Sequence, residues 1–257
     1  FADRVPKRQM KNLAAPHAVI DGQLAVVERN RIRSQPPVSA PAGGIVCSLE
    51  DMLAWVTVQL NRGSKSNGEV IFSESQSRAM FSPVTNRYVS ERDFELSRTH
   101  FKAYGLGWRL EDVHGYKQVS HTGTLSGMRS YVVLVPELEL GVVYLSNGSS
   151  SAARRAVMNT IVRSFMPAEP VDWIQREIDE QASDRSTPVV AGRDCRPCQA
   201  PELSKFTGKY RDPWFGDVAI EEQEQHLTFS AAKSPRLSGT LEHCQGDRFI
   251  VRWYDRS

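Results

Sequence analysis

Between Tyr104 and Asn147 the chain alternates four β-prone runs with connections too short to cross over a sheet. The runs are YGLGWRLEDV, YKQVSHTG, SYVVLVP and LGVVYLSNG, rich in branched and aromatic side chains. VHGY reads as a tight connection and PELEL as a hairpin turn. Parallel neighbours need a connection of a dozen residues or more, so this stretch has to fold as an antiparallel meander. Its last two runs are apolar at successive positions. That predicts burial on both faces of the sheet, and therefore helices that cover it.

Helices are indicated on either side of the meander. Ser48 is a good N-cap with Asp51 three residues on, and Leu49, Met52, Leu53, Val56 and Leu60 follow as an apolar stripe that Gly63 stops. A weaker helix is expected at SESQSRAMFSP, ended by Pro83, with a polar loop after it. SAARRAVMNTIVRSFM predicts another, with Ala156, Thr160, Ile161 and Phe165 near one face. Residues 1–43 carry little periodic pattern and end in the breaker-rich SQPPVSAPAGG. The fold class expected is α+β, an antiparallel sheet covered by helices.

Composition changes after Met166. A short acidic helix, VDWIQREIDEQA, leads into SDRSTPVVAGRDCRPCQAPE, which reads as a linker over 167–200. From 201 to 257 the strand pattern returns in FTGKYRDP, FGDVAIEEQEQHLTFSA, GTLEHCQG and DRFIVRWYD, a small all-β meander turning near Gln225.

Bulk properties exclude several functions. A net charge of +2 over 257 residues, with scattered arginines, argues against a dedicated nucleic-acid binder. No apolar run approaches the roughly 20 residues that span a bilayer. Four cysteines are too few for a disulfide scaffold. Cys195 and Cys198 have CxxC spacing without a second matched pair, and Cys47, Cys244 and His243 stand apart, so a linker is favoured over a metal or redox centre. The opening FADRVPKRQM has neither a start methionine nor the apolar core of a signal peptide, and reads as a processed or truncated chain.

The candidate chemistry lies in His121-Thr122-Gly123-Thr124, where a strand meets a glycine. Alone, the triplet reads equally as a polar strand end. Its neighbours sharpen it: the glycine would let a ligand backbone approach, and Thr122 and Thr124 offer hydroxyls beside it. The remaining histidines have no cysteine or carboxylate at ligand spacing, and the aromatics from Trp55 to Trp253 are expected to fill cores.

Taken together, APAGGIVCSLEDMLAWVTVQL and YGLGWRLEDVHGYKQVSHTGTLSGMRSYVVLVPELELGVVYLSN resemble the serine β-lactamase-related hydrolases. That family includes class C β-lactamases, D-alanyl-D-alanine carboxypeptidases and related esterases. The resemblance covers roughly residues 38–165, and the 201–257 segment resembles the small β domain often appended to such enzymes. It implies that residues 1–166 are the C-terminal portion of the hydrolase domain. It further implies acyl-serine hydrolysis of an amide or ester without metal or cofactor, and a substrate that is a D-amino-acid peptide, an ester or a lactam. His121 would engage the substrate carboxylate or support proton transfer, and Thr122 would bind that carboxylate. Gly123 would leave room for the acyl chain. The Thr124 N–H would serve as one of two oxyanion-hole donors. Relatives are usually exported, which implies a periplasmic or extracellular setting.

One departure stands out. The family's Ser-x-x-Lys and Tyr-x-Asn are missing upstream of the triplet, and the chain's single Ser-x-x-Lys, Ser230 to Lys233, lies in the appended module. It follows a strand-like HLTF, where residues three apart point to opposite faces, so it is expected to be a decoy. The nucleophile and its base are therefore expected in an upstream part of the same protein, and this segment alone is expected to be inactive. The rival expectation is a catalytically empty relative that binds peptidoglycan-type peptides or a protein partner. A β-rich scaffold without a small ligand is a third.

Overall fold

The computed structural model describes residues 12–20, 22–27, 40–43, 45–186, 201–214, 216–223 and 225–254. They fall into two compact units divided after Gln181. In the first unit the elements run β1 (His17–Ile20), β2 (Gln23–Val26), α1 (Ala40–Gly43), α2 (Leu49–Leu60), α3 (Glu74–Met80), β3 (Thr85–Asn86), α4 (Glu91–Ser97), β4 (Lys102–Tyr104) and β5 (Arg109–Val113). They continue with β6 (Tyr116–Leu125), β7 (Met128–Val135), β8 (Leu140–Ser146) and α5 (Ser151–Arg163), and α6 (Trp173–Ser186) runs across the division. Strands β3 to β8 form one antiparallel sheet in sequence order, the meander its short turns require.

Two of those turns set the register. His114 and Gly115 both take positive φ, the two-residue turn whose twist matches that of the strands it joins, and they pair Val113 with Tyr116. At the other end of β6, Ser126 and Gly127 form a second two-residue loop and pair Leu125 with Met128. YGLGWRLEDV is not one strand, however. It breaks into β4 and β5 around a bend in which the Gly105 N–H donates to the Trp108 carbonyl at 2.7 Å.

Both faces of the sheet are buried, as the apolar β7 and β8 demand. On one, Val119, Val132 and Leu134 meet Val56 and half-buried Met52 and Leu60 of α2. On the other, Val113, Val133 and Val135 meet Met158, Val162 and Met166 from α5 and the residues just after it. The capping box of α2 forms as expected, Ser48 and Asp51 each bonding the other's main-chain N–H, but Leu49 and Leu53 of its stripe stay exposed. The α5 stripe is rotated from the expected one. Ala152, Arg154, Ala156, Met158 and Val162 are buried, whereas Ile161 and Phe165 face water.

Two elements replace expected loops. β1 and β2 pair as a hairpin, and Ser90 with Asp93 caps α4 in the segment expected to be a polar loop. Among the described residues no helix is long and apolar enough to cross a membrane.

The second unit is a five-stranded antiparallel meander of β9 (Gly208–Asp212), β10 (Gly216–Gln223), β11 (His226–Ala231), β12 (Ser238–Gln245) and β13 (Arg248–Trp253). Gln225 takes positive φ in the β10–β11 turn. The register puts Leu227, Phe229, Leu241, Phe249 and Trp253 on one face, with Phe229 and Trp253 edge to face at 5.5 Å. Trp214 and Tyr254 stay exposed instead of filling this interior. Cys244 is disulfide-bonded, and the CxxC pair Cys195 and Cys198 lies outside the described residues.

Candidate active site

Strand β6 is longer than its neighbour β5. Pairing between them ends at Arg109 opposite Ser120, while β6 continues to Leu125 along β7. Residues 121–125 therefore form an open edge on the side that β5 leaves. The turns decide what this edge presents. In a two-residue hairpin the closing pair exchanges both main-chain hydrogen bonds, and such pairs then alternate along the ladder. Closure at Leu125–Met128 turns the main-chain groups of 125, 123 and 121 toward β7. Closure at Val113–Tyr116 turns those of 116, 118 and 120 toward β5. Both turns agree, and both leave the N–H and C=O of Thr122 and Thr124 pointing off the open edge.

Side chains alternate the other way. His121 and Gly123 share the face of Val119, toward α2, while Thr122 and Thr124 share the face of Ser120, toward α5. His121 and Thr122 are thus adjacent in sequence but project from opposite faces, and what joins them is the edge of the strand. Gly123 carries a tight constraint. A Cβ there would lie 2.2 Å from Oγ of Ser130, its cross-strand partner, so the space a side chain would take is filled by a hydroxyl.

Two residues outside the triplet hold it. Tyr104 Oη lies 2.8 Å from Nε2 of His121, and the rings meet edge to face at 6.0 Å. Burial of the half-exposed His121 ring, reinforced by the Arg109 charge, lowers its pKa below the ordinary histidine value, against a smaller opposing pull from the Thr122 main chain. The ring is consequently neutral at pH 7, able to accept a proton as well as to donate one. From the other face, Arg154 of α5 donates through Nη1 to the Gly123 carbonyl at 2.9 Å, to Thr124 Oγ1 at 3.3 Å and to the Ser130 carbonyl at 3.4 Å. It is 8% exposed, and no described carboxylate bonds its guanidinium, so its charge rests on those oxygens and on the ring of Tyr131. The result is a strand end braced from behind by Arg154, with the main-chain groups of Thr122 and Thr124 on its open side.

The other candidates lie elsewhere. Ser230 sits within β11 between Ala219 and Ser238, and the Lys233 side chain runs beside Gly216 past the strand end. Replacing Ser230 by alanine is expected to leave acyl-enzyme labelling of the full-length protein unchanged, as read by gel fluorescence after treatment with a fluorescent penicillin. His100, twelve residues from Asp112, bonds its carboxylate through Nδ1 at 3.1 Å, a pairing that only the β4–β5 register creates. Among the described residues no three His, Cys, Asp or Glu side chains gather as a metal site. Sequence reading missed Tyr104, Ser130 and Arg154. The YGLGW run held a signal for the first, and nothing local marked the other two.

Residues 3–165 match the Beta-lactamase family, and residues 193–257 match a domain of unknown function, DUF3471. The unguisins hydrolase ungD' of Aspergillus campestris is 23% identical over 86% of this chain and 42% of its own length. The unguisins hydrolase ungD of Aspergillus violaceofuscus is 25% identical over 85% and 42%. The chain thus spans about two-fifths of the curated relatives it matches. Among solved structures, the octameric penicillin-binding protein homologue from Pyrococcus abyssi aligns with a TM-score of 0.46 at 17% identity, over 97% of this chain and 49% of that one.

Proposed function

The chain belongs to the β-lactamase family, and on that premise we propose that it forms the substrate-strand half of a serine hydrolase acting through an acyl-enzyme. The observation that carries this is the open edge of β6, where Thr122 and Thr124 turn their main-chain groups outward beside His121. A bound acyl group lies along that edge. The Thr124 N–H donates to the carbonyl oxygen as it gains charge, a contribution of about 3 kcal/mol for one such donor in other acyl-transfer sites. His121 engages the substrate carboxylate or supports proton transfer as the acyl bond forms and breaks. The substrate is an amide or ester, a reading supported by curated relatives named as hydrolases of unguisins.

The nucleophile and its base come from a preceding part of the same protein. No serine stands three residues before a lysine anywhere upstream of His121, and serine attack needs such a neighbouring base. An exported setting is supported by the disulfide at Cys244, since such bonds persist in oxidising compartments.

The test is labelling of the full-length protein with a fluorescent penicillin and with a fluorophosphonate. A covalent adduct on a serine N-terminal to residue 1, with the 257-residue chain alone unlabelled, is the expected result. Saturable binding of N-acetyl-D-alanyl-D-alanine without any adduct would replace the enzyme by a binding module. Turnover by the isolated chain would show that the chemistry has been misplaced.

A further inference from the structure

We propose that Tyr104 is a positioning residue for His121, fixing the plane of its imidazole at the open edge of β6. The inference rests on the hydrolase reading above. Four features build the contact. Tyr104 closes β4 opposite Arg109, the first residue of β5, and Arg109 in turn pairs with Ser120, so β5 stops one residue short of His121. The Tyr104 hydroxyl reaches past that end to Nε2 of His121 at 2.8 Å.

The residues after Tyr104 hold it in place. The backbone at Gly105 passes so close to the end of α3 that a Cβ would lie 2.3 Å from the Met80 carbonyl oxygen. Trp108 is buried edge-on against Phe81 at 5.7 Å, anchoring the far side of the bend. The tyrosine therefore sits on a short, rigid corner, and its hydroxyl is the polar atom that reaches the ring from that corner.

The chemistry follows from the imidazole's two nitrogens. A neutral ring has one donor and one acceptor, and which nitrogen is which depends on the bond each makes. A hydroxyl can donate to a bare nitrogen or accept from a protonated one, so the choice of tautomer comes from the ring's other partner, the Thr122 main chain, to which the ring donates. Tyr104, 2.8 Å from Nε2, then donates to that nitrogen and holds the ring against rotation. Without it Nε2 loses its donor and the ring its fixed plane.

Nitrogen-15 spectra of the imidazole in the 257-residue chain test this directly, comparing wild type with Tyr104→Phe. Wild type is expected to show one dominant neutral tautomer at His121, and Tyr104→Phe a shift of the Nε2 resonance, since that nitrogen loses its donor. Unchanged ring shifts in a folded Tyr104→Phe chain would overturn the proposal. In the full-length protein, Tyr104→Phe is expected to lower the acylation rate by fluorescent penicillin about fivefold at unchanged apparent affinity, the equivalent of one neutral hydrogen bond. Tyr104→Leu, which keeps apolar bulk without any polar group, is expected to match Tyr104→Phe in both assays, and wild-type ring shifts in that variant would also count against the proposal. His121→Gln separates the two ideas. If it leaves acylation untouched, the hydrolase reading fails at this residue. If it abolishes acylation while Tyr104→Phe leaves the ring spectrum unchanged, the positioning role alone fails.

Discussion

Replacing Gly105 by alanine is expected to cost about 3 kcal/mol of stability. For a unit of this size that is a drop of roughly 6–12 °C in melting temperature. A Cβ at 105 would lie 2.3 Å from the Met80 oxygen and 2.9 Å from the Ser82 oxygen, both main-chain atoms at the end of α3 that no rotamer change can move. The strand end must shift instead, and Tyr104 shifts with it. Gly107 is the matched control in the same motif. It takes φ +82° with open space where its Cβ would be, so Gly107→Ala should cost only the left-handed backbone penalty, about 1 kcal/mol. Thermal melts of the two variants decide the point. Equal losses would mean that the close approach to α3 carries no weight.

Met158→Ala is expected to destabilise the first unit by a comparable amount, about 3 kcal/mol. Met158 is 1% exposed and packs with Val113, Val133 and Val135 of the sheet and with Val162 along its own helix. Truncation removes three heavy atoms from a layer held between strand and helix, where the backbone on both sides limits collapse. Phe165, just beyond the same helix, is 57% exposed, and Phe165→Ala should change stability by no more than about 0.5 kcal/mol. Chemical denaturation of both variants gives the comparison. A larger loss from Phe165 than from Met158 would return the buried face to the one that periodicity suggests.

That contrast shows where local pattern misleads. Apolar spacing in SAARRAVMNTIVRSFM points to Ile161 and Phe165, because arginine is assigned to water by default. In the fold the inward stripe runs Arg154, Met158, Val162 and Met166 at four-residue intervals, and its first member is a charge that β6 and β7 accept through their oxygens. Nothing within the helix announces that those acceptors are waiting. The α4 segment is a different kind of miss. Its Ser90–Asp93 cap is a local signature, present in SERD and satisfied in the fold by bonds at 2.9 and 3.2 Å. The β1–β2 hairpin likewise turns at Gly22, a glycine at positive φ that lies in plain view.

The triplet itself was legible in part. Its place on a strand, the glycine at 127 and the neighbouring YGLGW all stand in the chain, and they carry the family resemblance that the Beta-lactamase match bears out. Gly123 has a reason that no resemblance supplies: Ser130 occupies the position of its absent side chain.

By itself, then, the sequence determined the antiparallel meander and, through two turns of two residues each, which main-chain groups of β6 point toward β5 and which toward β7. Those properties are local, because turn length and strand alternation fix them within a few residues. Tertiary structure alone decided what surrounds the strand end. Tyr104 reaches His121 from two strands away because β5 begins late, and Arg154 reaches Gly123 from 31 residues further on because α5 lies across that face. Such contacts depend on where a neighbouring strand stops and how a helix settles on a sheet, and no run of adjacent residues encodes either.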